Sequence, residues 1–250
     1  MIMDAGTVMK TKEFLTAEWR HLAMINYEID PAILQPLVPR GTELDSWQGK
    51  TFVSEVGFLF LDTRVMGITI PFHQNFEEIN LRFYVRRKAE DGWRRGVVFV
   101  KEIVPRLAIA TVAKVVYNEN YVARRMWHGT DLGEASFTKS GLVEYGWMEK
   151  SGRNFLRVRT TGKAEMLVAG SEEEFITEHY WGYAAQRDGG TVEYQVEHPS
   201  WRVWQVSETE FECDVEQVYG PQFCETLRSK PSSAFVADGS PIIVRKGVRL

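Results

Sequence analysis

The sequence predicts an α+β chain, predominantly antiparallel β, in which a curved sheet or barrel carries a few flanking short helices. Three observations lead there. About ten segments read as strands, either by alternation of apolar and polar residues or as runs rich in Val, Ile and aromatics. Helix signals occur at only three places. Turn pairs such as Asp91-Gly92 and Ser151-Gly152 sit beside strand-like segments, as short antiparallel connections require.

In chain order, Asp30-Pro31 is an N-cap followed by proline at the first helical position. Ala32, Ile33, Leu34, Leu37 and Val38 give this helix its apolar face, and Pro39 stops it. Residues 52–60 form a β-rich strand. In the next, Ile79, Leu81, Phe83 and Val85 alternate with Glu78, Asn80, Arg82 and Tyr84. Further strands are expected at 96–100, 108–117, 141–149, 154–161, 163–168, 191–197, 201–207 and 242–244. Ser171 and Glu174 form a capping box that opens the longest expected helix, Glu172 to about Gln186. Phe175, Ile176, His179, Tyr180 and Tyr183 share its stripe, with His179 expected as a packed core histidine. A third helix is expected at 221–228. No repeat or linker divides the chain, so residues 11–250 are expected to form a single domain behind a flexible segment, 1–10.

Composition excludes several functions. A net charge of −4 with no basic block gives nucleic acid no phosphate-neutralising face. No apolar run reaches the length of a membrane span and no leader is visible, so a cytoplasmic protein is expected. Two cysteines, Cys213 and Cys224, make neither a disulfide framework nor a zinc spacing. Five histidines without a ligand pattern predict no metal. No P-loop or G-x-G-x-x-G is present, so no cofactor is expected. A homo-oligomer is compatible with all of this.

The polar face of the 78–85 strand carries the chemistry. On a half-exposed sheet it would be a solvated ladder. In a barrel it lines a lumen, where small ligands are held. An amine nucleophile needs a desolvated lysine, and Lys101 and Lys114 are the two that lie in strand-like runs. Lys114 is the better candidate of the two, but it reads more readily as an outward strand residue or one paired with a glutamate.

Several stretches resemble the YqjF-like family of uncharacterised conserved bacterial proteins. They are WRHLAMINYEIDPAILQPLVP, NFEEINLRFYV, EEFITEHYWGY, VEHPSW and SSAFVADGSPIIV, in the family's order over nearly the whole chain. The family is similar, distantly, to acetoacetate decarboxylase, so the resemblance implies a β-barrel or cone with flanking helices. It matches Arg20, seven residues before Tyr27, to the decarboxylase's early arginine, and Glu78, two after Phe76, to its pocket glutamate. It puts the Schiff-base lysine's position at Tyr121, which has no amine. The chain is therefore not expected to be a Schiff-base decarboxylase. The site expected is a polar pocket lined by Arg20, Glu78, Asn80, Arg82 and Tyr121. It would take a small anionic or carbonyl-bearing ligand, since guanidinium pairs with carboxylate in a fork. Two rivals share these residues. One is an enzyme doing lyase- or hydrolase-like acid–base chemistry, with Glu78 as catalytic base. The other is a structural protein with an internal salt-bridge network.

Overall fold

The computed structural model describes residues 11–105, 120–132 and 141–250. The expectations for residues 1–10, for a strand at 108–117 and for Lys114 lie outside the described residues.

Fifteen described strands belong to one mostly antiparallel sheet. They are β1 (Glu13–Glu28), β2 (Glu43–Leu44), β3 (Phe52–Val65), β4 (Ile68–Thr69), β5 (Phe76–Ala89), β6 (Gly92–Val104), β7 (Tyr121–Ala123) and β8 (Met126–Asp131). Then follow β9 (Leu142–Glu149), β10 (Gly152–Met166), β11 (Trp181–Ala185), β12 (Thr191–Glu197), β13 (Arg202–Glu212), β14 (Ser233–Arg245) and β15 (Val248–Arg249). Short α-helices intervene: α1 (Pro31–Leu34), α2 (Glu172–Thr177), α3 (Val215–Val218) and α4 (Cys224–Arg228).

Seven strands close a ring, in the order β12-β11-β6-β5-β3-β1-β14. β14 returns to β12 through Val196–Val244 and Glu197–Ile243. The sheet also runs on from β14 through β13, β10, β9 and β8. This second stretch covers the outside of the ring. Tyr145 of β9 lies so close over Gly57 of β3 that a Cβ there would come within 2.6 Å of its ring.

Two cores follow from the two faces of the ring wall. Outside, Ile79, Leu81, Phe83 and Val85 of β5 share a buried cluster with Val143, Tyr145, Trp147 and Leu156. Strands β9 and β10 cover the four β5 residues, while α3 and α4 add Val215, Val218 and Leu227 to the same cluster. Inside, Leu22, Met24, Phe58, Phe60, Phe76 and Tyr84 belong to a second cluster. A strand buried on both faces has no wet side to mark it in the sequence.

The helix expected from Glu172 to Gln186 ends at Thr177, and Trp181–Ala185 is a strand. Tertiary pairing overrides the helical stripe. Trp181 and Gly182 pair in parallel with Gly96 and Val97, and β11 pairs again with β12. The capping box itself is present, with Ser171 Oγ accepting from the Glu174 amide at 3.1 Å. The first helix also starts as expected, with the Asp30 side chain accepting from the Ala32 amide.

Candidate functional site

The ring encloses a cavity of about 170 Å³. Alternation along β5 sends Phe76, Glu78, Asn80 and Arg82 into it. The neighbouring strands contribute by register. Phe76 faces Phe60, Glu78 faces Phe58, Asn80 faces Val56 and Arg82 faces Ser54 on β3. Asn80 faces Glu102 on β6, and Glu102 faces Tyr121 on β7.

Bulges decide which residues enter from β6 and β1. On β6, Leu81 and Arg82 are paired with Lys101 and Phe99, so Val100 is an extra residue. Simple alternation from Val97 and Phe99 would bring Lys101 inward. The bulge brings Glu102 into the lining instead and leaves Lys101 donating to the carbonyl of Val218. On β1, the register shifts between Arg20 and Ala23, and His21 adopts φ 53°. Trp19 and Leu22 line the cavity across this bulge.

Glu78, Asn80, Arg82 and Tyr121 therefore come together as lining residues. Asn80 Nδ2 donates to Glu78 Oε1 at 3.0 Å, and the Tyr121 hydroxyl donates to Glu78 Oε2 at 3.3 Å. Arg20 does not join them. It shares the outward face of β1 with Glu18, which takes its Nε and Nη2 at 2.9 and 2.8 Å, and its Nη1 reaches the Gly239 carbonyl. A spacing of seven residues to Tyr27 says nothing about strand face once a bulge lies between.

Arg82 is 9% exposed. Its Nε has no hydrogen-bond partner, and its one hydrogen-bond contact among the described residues runs from Nη2 to Met24 Sδ at 3.8 Å. The Tyr84 ring lies 5.8 Å from the guanidinium carbon. Asn80 Oδ1 is likewise buried without a partner.

Residue types alone did not reveal other polar and aromatic residues of the lining, among them Glu102, Thr177, His179, His198, Trp19 and Trp201. His179 packs on Tyr84 with centroids 4.7 Å apart, and its Nε2 stands 3.4 Å from Asp45 Oδ2, short of hydrogen-bond alignment. Burial pushes this imidazole down to about 4, against the nearby Asp45 carboxylate. Burial would raise Asp45, but contacts with His179 and Arg95 hold it at about 2. His198 stacks on Trp201 at 4.2 Å, and burial lowers its pKa too. Both imidazoles are thus biased toward the neutral form.

The fold is shared with proteins whose structures are solved. Acetoacetate decarboxylase from Legionella pneumophila subsp. pneumophila str. Philadelphia 1 matches with a TM-score of 0.64 at 13% identity, over 100% of this chain and 92% of that one. The enduracididine biosynthesis enzyme MppR, complexed with pyruvate, matches with a TM-score of 0.68 at 11% identity, over 98% and 93%. An acetoacetate decarboxylase-like enzyme from Sphingomonas wittichii RW1 matches with a TM-score of 0.63 at 12% identity, over 99% of each chain. At such identities the likeness is one of fold. In sequence, the chain is 33% identical over 75 residues to the uncharacterized protein YqjF of Bacillus subtilis (strain 168), covering 30% of this chain and 31% of that one. The model of the family DUF2071, "Uncharacterized conserved protein (COG2071)", matches residues 16–241, and the chain belongs to that family.

Proposed function

We propose that the ring cavity binds a small anionic or carbonyl-bearing ligand, with Arg82 as the anion clamp and Glu78, Asn80 and Tyr121 beside it. One observation carries this reading. Arg82 is a buried cation whose Nε is unpartnered and whose one hydrogen-bond contact among the described residues is a thioether. Burying a charge without a partner is costly, and a bound carboxylate would supply one through a two-bond fork. The purely structural reading needs Arg82 paired within the protein, and the described residues give it no ion pair. The pyruvate complex of MppR shows that a protein of this fold takes a small keto acid.

A thermal-shift screen against small carboxylates and keto acids tests this, with wild type and Arg82→Gln side by side. A ligand at a hundred times its Kd stabilises by about 2.7 kcal/mol. At least one acid is expected to raise the Tm of wild type and not of the variant. If no acid stabilises wild type, the reading fails.

A second reading, acid–base turnover with Glu78 as the base, has its own support. Two buried carboxylates, Glu78 and Glu102, line the same cavity. Glu78→Gln would then abolish consumption of a keto acid while leaving its binding within a few fold. Schiff-base decarboxylation is not expected, because Tyr121 stands where the resemblance puts the lysine and Lys101 is directed to Val218 O. Acetoacetate with borohydride should leave no lysine adduct. An adduct accompanied by turnover would refute this.

A further inference from the structure

We infer that the ligand is a carboxylic acid carrying an aromatic ring, a refinement that rests on the reading of Arg82 as an anion clamp. The cavity is sorted by level along its strands. At one level lie Arg82 and Ser54. Two residues along is the level of Asn80 and Glu102, then Glu78 with Phe58. Beyond them Phe76, Phe60 and Trp19 stand side by side in register on three adjacent strands. Arg82 and Phe76 are six residues apart on β5, and the Arg82 guanidinium touches Met24, which shares the level of Asn80 through Val56. A two- or three-carbon acid on Arg82 would leave the aromatic level empty.

That level is built as a wall of rings. Phe60 stacks on Phe76 at 4.7 Å, and Trp19 meets Phe58, Phe60 and Trp201 edge-on at 5.3, 5.8 and 6.3 Å. Aromatic walls favour an aromatic guest in offset or edge-to-face contact. The cavity volume of about 170 Å³ is of the right order, since a void of roughly 150 Å³ accepts a benzene ring. A polar atom waits at this end as well. The indole Nε1 of Trp19 is buried without a hydrogen-bond partner, and so is Thr63 Oγ1 in the same lining. An unpartnered buried donor suits a ring that bears an acceptor, such as a phenol oxygen. The cavity is thus polar from Arg82 to Glu78 and aromatic at its far end, where two polar atoms lack partners.

Calorimetric titration of wild type with four probes decides this: propionate, 3-phenylpropionate, 3-(4-hydroxyphenyl)propionate and the neutral amide 3-phenylpropionamide. The ring should tighten binding at least tenfold over propionate, and the amide should lose most of that affinity. The ring hydroxyl should add a further severalfold, and Trp19→Phe should bring the two phenylpropionates to equal affinity. Propionate and 3-phenylpropionate binding within threefold of each other would overturn the aromatic assignment and leave the anion reading intact. If none of these acids binds and pyruvate does not either, both fall.

Discussion

Among single residues, Arg82 is the one on which ligand binding and stability both bear. A buried guanidinium with no ion pair among the described residues costs stability. Arg82→Met, which keeps an unbranched stem, is therefore expected to raise the stability of the ligand-free protein by about 1 kcal/mol or more. Urea unfolding measures it, and a destabilised variant would mean that the guanidinium has a protein partner after all. Arg82, Asn80 and Glu78 were legible because strict alternation needs nothing but the sequence. Arg20 was misplaced because its pairing with Glu18 depends on strand face, which no spacing encodes. His179 was expected as a packed core histidine. It is buried, but it also lines the cavity, since its place there depends on the chain leaving the helix at Thr177.

At the scale of elements, the irregularities carry the site. Without the Val100 bulge, Lys101 and not Glu102 would complete the inward face of β6. The same kind of break at Arg20 and His21 hides β1, the longest strand, from any search for alternation. Helix α2 shows the opposite failure, where a good cap and stripe promise more helix than the sheet permits. The join between β11 and its neighbours relies on a missing side chain. A Cβ on Gly182 would stand 2.1 Å from Tyr194 Cζ. Gly182→Ala is expected to cost about 1–3 kcal/mol through overpacking, read as a lowered urea midpoint. An unchanged midpoint would show that this part of the ring relaxes freely.

At the scale of the whole molecule, the ring wall separates two cores, and Glu55 lies wholly within the outer one. Its Oε1 accepts from the Tyr219 hydroxyl at 2.6 Å and its Oε2 has no partner. Burial raises its pKa to about 8, against the hydrogen bond from Tyr219. The folded state therefore holds a proton that the unfolded state releases above its ordinary value of 4.5. This contribution to stability is full below 4.5 and is lost as pH rises through 8. His179 works in the other direction. Its depressed pKa makes stability fall as pH drops from 6.5 toward 4, so the two slopes oppose each other in the overlap. Between pH 6.5 and 8 Glu55 acts alone of the two, and stability should decline there. Glu55→Gln should flatten that decline, and an equal decline in the variant would exclude Glu55 as its cause. No helix among the described residues is long and apolar enough to cross a membrane. We propose that residues 11–250 unfold as one domain, since both cores rest on the same continuous sheet.

A crystal structure of the protein with the tightest-binding carboxylate of the thermal-shift screen tests directly whether the ring cavity holds an acid on Arg82. The carboxylate should lie inside the ring, forked on Arg82 with N–O separations of about 2.7–2.9 Å. A carboxylate bound outside the ring, or an Arg82 paired with a protein carboxylate in its place, would rule out Arg82 as the anion clamp.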